Sequence, residues 1–333
     1  MKGIEEAKSY LNNIDSGDSV CVVHHNDLDG FSSGLMIYNF CLNKTKDVSH
    51  LAYNHGEIFN FESVEKYNKL IFSDLAKNSI NDILVKCLNL GKKILFIDHH
   101  PVIDSFDKEV VACYVDNGKY FPASRIVDEL IGEKCWLGVV GTMGDMGHKY
   151  DENKEYVESF MKKNNLELES FLKDYIYVMS DVISYFQKDS YKAFSVLSEI
   201  KSLKDIGLVK KYSDEVRNEF YRYVALYDKE SEKLGLVNYF YLNPSYPIKG
   251  FLVNELSSKN EGEIYIFVSP KDDGRLSISA RMQNDEYSMP DILAFALDGL
   301  EGAKSGGHHR AAGGIVLESD LEKFKSKLSE WKS

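Results

Sequence analysis

Six of the nine histidines sit in three adjacent pairs, His24-His25, His99-His100 and His308-His309. At this composition chance gives roughly a quarter of one such pair. Each pair lies beside acidic or glycine-rich residues, not on an apolar helix face. HHNDLDG (24–30) carries Asp27 and Asp29 two apart, so an extended turn lets both carboxylates serve neighbouring positions of a metal site. His25, two residues earlier, can add a ring nitrogen. FSD ends in Asp74, FIDHHP (96–101) supplies Asp98, His99 and His100, and GTMGDMG (141–147) sets Asp145 among glycines that let backbone approach a ligand closely. Mixed carboxylate and imidazole ligation suits Mn²⁺ or Mg²⁺ better than structural zinc, which usually recruits thiolate. About five carboxylates in one cleft would repel one another, and two divalent cations remove that cost. Two ions about 3.5–4 Å apart can clamp a phosphoryl group for in-line displacement, so phosphoryl hydrolysis is the natural chemistry.

The elements that must position these residues are legible too. SVCVV (19–23), KLIFSD (69–74) and KKILFIDHH (92–100) are short β-rich runs, each followed by a polar turn and a helical pattern. Ser79 is the expected N-cap of the second helix and Gly91 its expected end. Such alternation predicts an α/β fold with a parallel sheet covered by helices, and ligand sites in such sheets lie outside the carboxyl ends of the strands. From about 150 to 233 the chain turns to long charged helical segments. Strand-like runs return at LVNYFYL (236–242), EIYIFVS (263–269) and RLSISARM (275–282), with KDDG (271–274) as a hairpin turn between the last two. The expected organisation is a catalytic domain over 1–200, a helical linker over 201–234 and a smaller α/β domain over 235–333.

The chain has 333 residues, 40 Lys and Arg against 52 Asp and Glu, and a formal charge of −12. That balance argues against a general basic surface for long nucleic acid, though not against a locally positive pocket. Its five cysteines form no CxxC pair, which fits buried free thiols in a reducing cytoplasm. No stretch approaches the 18 or so apolar residues of a membrane span, so a cytoplasmic protein is expected.

In order and spacing, HNDLDG, the isolated Asp74, DHHP and the glycine-flanked Asp145 resemble the four motifs of the DHH phosphoesterase family. SGGHHRAAGG (305–314) resembles the GGGHxxAAG element of the family's associated substrate-binding domain, with Ser305 at the first glycine position and an unusually basic His309-Arg310. The resemblance covers nearly the whole chain and falls closest to the oligoribonuclease (nanoRNase) and RecJ-like branch. It implies that Asp27, Asp29, Asp74, His99 and Asp145 are metal ligands, with Asp74 bridging two Mn²⁺ ions for which Mg²⁺ or Co²⁺ can substitute. It further implies that His25 is a ligand or near-ligand, Asp98 orients an imidazole, and His100 faces the scissile phosphate. Gly306, Gly307 and His308 would bind substrate, and Arg281 would hold a substrate phosphate. Independently of family, successive glycines can form an anion nest, and Arg and His add charge-assisted donors.

The expected function is hydrolysis of short single-stranded oligonucleotides or dinucleotides to nucleoside 5′-monophosphates, with a homodimer as a further expectation. The alternatives are a RecJ-like single-strand exonuclease, a cyclic-dinucleotide phosphodiesterase, a 3′-phosphoadenosine 5′-phosphate phosphatase, and a nucleotide sensor that no longer cleaves. Plainer readings exist for each part. A lone Asp after a strand is usually a helix N-cap, and glycine pairs usually mark turns. His50, His55 and His148 read as packing or surface residues; YNHG (53–56) could stack a base, but the 21 tyrosines read as mainly packing.

Overall fold

The computed structural model describes residues 1–102, 104–115, 118–132 and 135–331. The chain divides into two compact units, Met1–Ser213 and Asp214–Ser333.

The first unit is built on a five-stranded parallel sheet: β1 (Ser19–His25), β2 (Asp47–Tyr53), β3 (Lys69–Ser73), β4 (Lys93–Asp98) and β5 (Val110–Tyr114), in the order β2-β1-β3-β4-β5. Strand periodicity divides the interior between its two faces. Val20, Val22, Ile71, Leu95 and Ile97 enter one core with the helix Leu28–Leu42. Cys21, Val23, Leu70, Phe72, Ile94 and Phe96 enter the other with the helix Lys77–Asn89. The α/β parallel-sheet expectation is met, and the three predicted strands are β1, β3 and β4. The edge strands β2 and β5 lie outside the expected set. Each buries its side chains only in part, so neither shows the continuous apolar run that marks a strand buried on both faces.

Two local expectations change. The helix after β3 starts at Lys77, so Ser79 lies inside it, whereas Gly91 does follow its end in the left-handed region at φ 73°. The glycines before Asp145 serve helix packing. In the helix Trp136–Gly144, a methyl at Gly141 would overlap Ser124 Oγ and lie 2.9 Å from Asp29 Oδ1, and one at Gly144 would lie 2.8 Å from Leu28 Cδ2. The charged segments after residue 150 are amphipathic, and their Val157, Met161, Phe171, Met179 and Val182 close the first core.

The second unit holds a mixed six-stranded sheet: β6 (Glu232–Leu234), β7 (Val237–Tyr241), β8 (Ile264–Pro270), β9 (Arg275–Arg281), β10 (Lys304–His308) and β11 (Ala311–Leu317), in the order β10-β11-β9-β8-β7-β6. Leu276, Ile278 and Ala280 pack beneath the helices Met289–Leu297 and Leu321–Glu330, while Ser277, Ser279 and Arg281 alternate onto the other face. The predicted linker is helical over Lys210–Glu230. Its Tyr227 packs on Phe240 and Phe267, with ring centroids 5.5 and 5.6 Å apart.

Beneath the first sheet, the buried Lys69 ammonium donates to Asp18 Oδ2 (2.7 Å) and to the Asn13 carbonyl (2.9 Å). Burial pushes the Asp18 carboxyl up, but Lys69 outweighs it and holds its pKa below the usual carboxylate range. Asp18→Asn leaves a buried cation short of its counter-ion and should cost about 3 kcal/mol at neutral pH by urea denaturation. Because the folded pKa is lowered, the gap between wild type and variant should shrink as pH falls through it.

Candidate metal and phosphate site

The strand order reverses between β1 and β3, and a crevice opens there outside the strand ends. His25 ends β1, Asp74 follows β3, and Asp98 ends β4 with His99 and His100 just beyond. Asp27 caps the helix Leu28–Leu42 by accepting from the Gly30 amide (2.9 Å), which is why the chain turns sharply after β1. Asp74 adopts φ 61°, in the left-handed region that short polar residues tolerate, while its amide still donates to the Ile97 carbonyl. It is not a helix N-cap, and Asp145 lies at the C-terminal end of its helix.

The side chains converge in groups whose candidate ligand atoms all lie within 4.8 Å of one another: His25, Asp27 and Asp74; Asp29, His99 and Asp145; and Asp74 with Asp98, His99 and His100. His99 Nε2 joins them, 3.3 Å from Asp74 Oδ1 and 3.5 Å from Asp145 Oδ2. His25 Nδ1 is 2.8 Å from Asp27 Oδ2 and 3.7 Å from Asp74 Oδ2. Asp29 is buried, and its two oxygens accept the Ala123 (2.6 Å) and Ser124 (3.0 Å) amides that open the helix Ala123–Ile131. One residue thus lines the crevice and caps a helix 94 positions away. Asp98 is fully buried and accepts from His100 Nδ1 (2.8 Å), so the imidazole it orients is that of His100.

The electrostatics match a cluster of acids short of cations. Burial, then the neighbouring Asp74 charge, drives the Asp29 pKa well up; burial and Asp27 do the same to Asp74. Burial raises Asp145 despite the hydrogen bond from Tyr120. At His25, burial opposes protonation but Asp27 and Asp74 prevail, lifting it to about 10, while Asp27 falls to about 2 against its own burial. Burial likewise opposes protonation of His100, yet Asp98 raises it. Asp74 Oδ2, Asp98 Oδ2 and His99 Nδ1 are buried without hydrogen-bond partners. Orphaned acceptors amid unneutralised carboxylates fit divalent cations.

Two contributors escaped sequence reasoning. Tyr120 donates its hydroxyl to Asp145 Oδ2 and sets its ring edge-on to His99 (5.1 Å); it lies in a loop with no periodic signal. His55, read as isolated, stacks on His25 at 5.3 Å and meets His100 edge-on at 6.4 Å. Recognising β2 would have predicted this, because the loop after a strand beside β1 borders the same crevice. His50 is a core residue stacked on Phe194 at 3.6 Å, and His24 of the first pair joins it inside at 3.4 Å. Tyr53 is packed as expected, its hydroxyl donating to the Glu57 carbonyl.

In the second unit, register places Arg281, Ala311 and His308 in one row across β9, β11 and β10. Arg281 donates from Nε to Asn254 Oδ1 (2.8 Å). Gly306 and Gly307 lie in the exposed strand β10 and make no nest, because pairing with Gly313 and Ala312 holds them extended. Gly307 has φ 149°, and a methyl there would overlap the Ala311 carbonyl, so only glycine fits; Ser305 has no such demand. Arg310 is neutralised by Asp285 (2.7 Å from Nε).

The DHH family N-terminal domain model matches residues 19–162, and the DHHA1 domain model matches residues 237–333. The chain is a DHH-family protein with a DHHA1 domain. No curated protein matches its sequence. Among solved structures, a manganese-bound exonuclease RecJ superposes with a TM-score of 0.70 at 16% identity, covering 99% of this chain and 94% of that one. RecJ from Thermus thermophilus with Mn²⁺ also gives 0.70 at 15%, over 99% of this chain and 54% of its own length. The DHH domain of a protein described as a member of a ribosomal-protein family gives 0.70 at 17%, over 100% and 91%. At these identities the likeness is one of fold. Family membership and the acidic crevice together make this DHH protein a metal-dependent phosphoesterase. Among the described residues no helix is long and apolar enough to cross a membrane.

Mn²⁺ or Mg²⁺ at about 100 times its dissociation constant should stabilise the protein by about 2.7 kcal/mol in thermal or urea unfolding. Asp74→Asn should abolish that response and leave the cation-free protein at least as stable as wild type, because one repelling carboxylate is gone. An unchanged response would place the cations elsewhere.

Proposed function

We propose that this protein hydrolyses short oligonucleotides and dinucleotides to nucleoside 5′-monophosphates, using two Mn²⁺ ions held in the crevice of the first unit. The observation carrying this reading is the pair of ligand groups, His25/Asp27/Asp74 and Asp29/His99/Asp145, joined by the 3.3 Å Asp74–His99 approach. Divalent cations there would supply charge neutralisation at a phosphoryl group and acidify a nucleophilic water.

The chain's own residues supply the rest. Asp27, Asp29, Asp74, His99 and Asp145 are the proposed ligands, with Asp74 at the centre because its two oxygens face His99 and His25. Asp98 holds His100 by Nδ1 and leaves Nε2 free to offer a proton to a phosphate oxygen. Tyr120 donates to Asp145 Oδ2, the oxygen that lies 3.5 Å from His99 Nε2, and so holds that carboxylate against the imidazole. Arg281, His308 and the backbone at Gly306 and Gly307 bind a substrate phosphate; Gly306 is open, since a methyl there would meet nothing within 4 Å. The net charge of −12 favours short substrates, which do not need a long basic track.

Hydrolysis of end-labelled RNA and DNA ladders of about two to twenty-four nucleotides with Mn²⁺ tests this reading, alongside cyclic dinucleotides and 3′-phosphoadenosine 5′-phosphate. Fastest turnover on two- to five-mers supports it, and preference for the longest strands would replace it with a RecJ-like single-strand exonuclease. Asp74→Ala and His99→Ala should eliminate turnover. His308→Ala should act mainly on KM, raising it about tenfold, the effect of losing roughly 1.4 kcal/mol of substrate binding.

A further inference from the structure

The face of the second sheet that carries Arg281 holds a second set of cations that the proposed reaction does not use. Register aligns three rows across β10, β11 and β9: His308–Ala311–Arg281, then Gly306–Gly313–Ser279, then Lys304–Ile315–Ser277. Residues two apart share a face, so all three rows look the same way. The middle row carries no side chain larger than a serine, and a methyl at Gly313 would meet only the Ile278 carbonyl, 3.7 Å away. It is a bare floor between two cationic rows about 13 Å apart along the strands.

The far row is reinforced from the helix Lys249–Lys259. Lys249 Nζ reaches over it and donates to Ser277 Oγ (2.7 Å) and to the Ser277 carbonyl (2.5 Å). Both acceptors are neutral, and no described carboxylate pairs with this ammonium. Three features make the deficit worse. Lys249 is half-buried, it opens its helix where the backbone dipole is already positive and no acidic residue occupies the first turn, and Lys271 adds a like charge. Burial and then Lys271 push its pKa down to about 7. The nearby hairpin carboxylate of Asp273 is engaged by Arg275 (2.9 Å). Lys304 stands exposed on the same face, its backbone about 10 Å from that of Ser277 across two strand spacings.

We propose that Lys249 and Lys304 form a second anion subsite on this face, taking a second phosphate group of the substrate while one nucleoside lies over the Gly306–Gly313–Ser279 floor. The rows stand further apart than the two phosphates of one nucleoside, and the long Arg281 and Lys304 side chains can make up the difference by leaning over the bare row. The subsite takes its ligand from the phosphodiesterase reading, and it makes terminal phosphorylation of a short substrate a determinant of affinity.

The test measures dissociation constants of the full-length protein in EDTA for 5′-phosphorylated and unphosphorylated diadenylate, by titration calorimetry. Wild type should prefer the phosphorylated form about tenfold, and Lys249→Gln should bring the ratio near one. Lys304→Gln should lower it about threefold, and Lys249→Arg should retain it. Lys249→Gln removes an uncompensated cation, so its unfolding midpoint should equal or exceed that of wild type. Lys304→Gln changes only an exposed side chain and reads the same subsite if Lys249→Gln fails to fold. A wild-type ratio near one, or a ratio unchanged in both glutamine variants, would overturn the subsite. Retained discrimination without hydrolysis of any oligonucleotide would instead sink the phosphodiesterase reading and leave the subsite standing.

Discussion

Mutual repulsion among acids is the constraint around which the first unit is arranged. Asp27, Asp29, Asp74, Asp98 and Asp145 gather at one crevice, and a pair of unit charges 4 Å apart at an effective dielectric of about 20 costs about 4 kcal/mol. The protein meets part of that cost with donors of its own. Backbone amides at a helix start serve Asp29, imidazoles serve Asp27 and Asp98, and the Tyr120 hydroxyl serves Asp145. Asp74 and Asp98 are buried and each keeps one oxygen with no hydrogen-bond partner, and Asp74 in addition sits in the left-handed backbone region at φ 61°. An unusual backbone conformation and an unsatisfied acceptor on one residue are the features a cation there would account for.

Topology explains why the acids can be so close. With strand order β2-β1-β3-β4-β5, the chain leaves β1 and β3 in opposite directions across the sheet, and the turns between them have no crossing connection above them. Close packing then requires the helices behind the crevice to approach it without bulk. This is the work of the glycines at 141 and 144, where any side chain would displace Asp29 or Leu28. The glycine-rich run before Asp145 is therefore tied to the site through a helix contact.

The site was more legible in the sequence than the fold that surrounds it. Charged residues placed directly after apolar runs violate the ordinary pattern, so HNDLDG, DHH and Asp145 stand out without knowledge of the sheet. The edge strands β2 and β5 left no such mark, since a strand buried on one side mixes polar and apolar residues freely. That omission hid His55, whose nearness to His25 and His100 follows only from β2 lying beside β1. Tyr120 had no signal, because its partner is fixed by tertiary packing alone. Ser79 was misplaced because propensity for an N-cap says nothing about where the preceding loop must end. In the C-terminal element the conformation differs from the nest that the glycines suggest. Repeated glycine permits a nest, yet a partner strand with small residues of its own draws the same glycines into a ladder.

The two units have opposite deficits. The first gathers carboxylates without enough cations, and the second presents Arg281, His308, Lys304 and Lys249 around a bare floor with no carboxylate among the described residues paired to them. Neither deficit makes sense as a contribution to stability, since paired charges would stabilise each unit better. Divalent cations would answer the first deficit and a phosphate group the second, and each demand belongs to its own unit. Burial makes an unneutralised carboxylate costly in the crevice, so the acids call for cations that stay with them. The sheet face is exposed along β10, so its cations remain open to an anion that comes and goes.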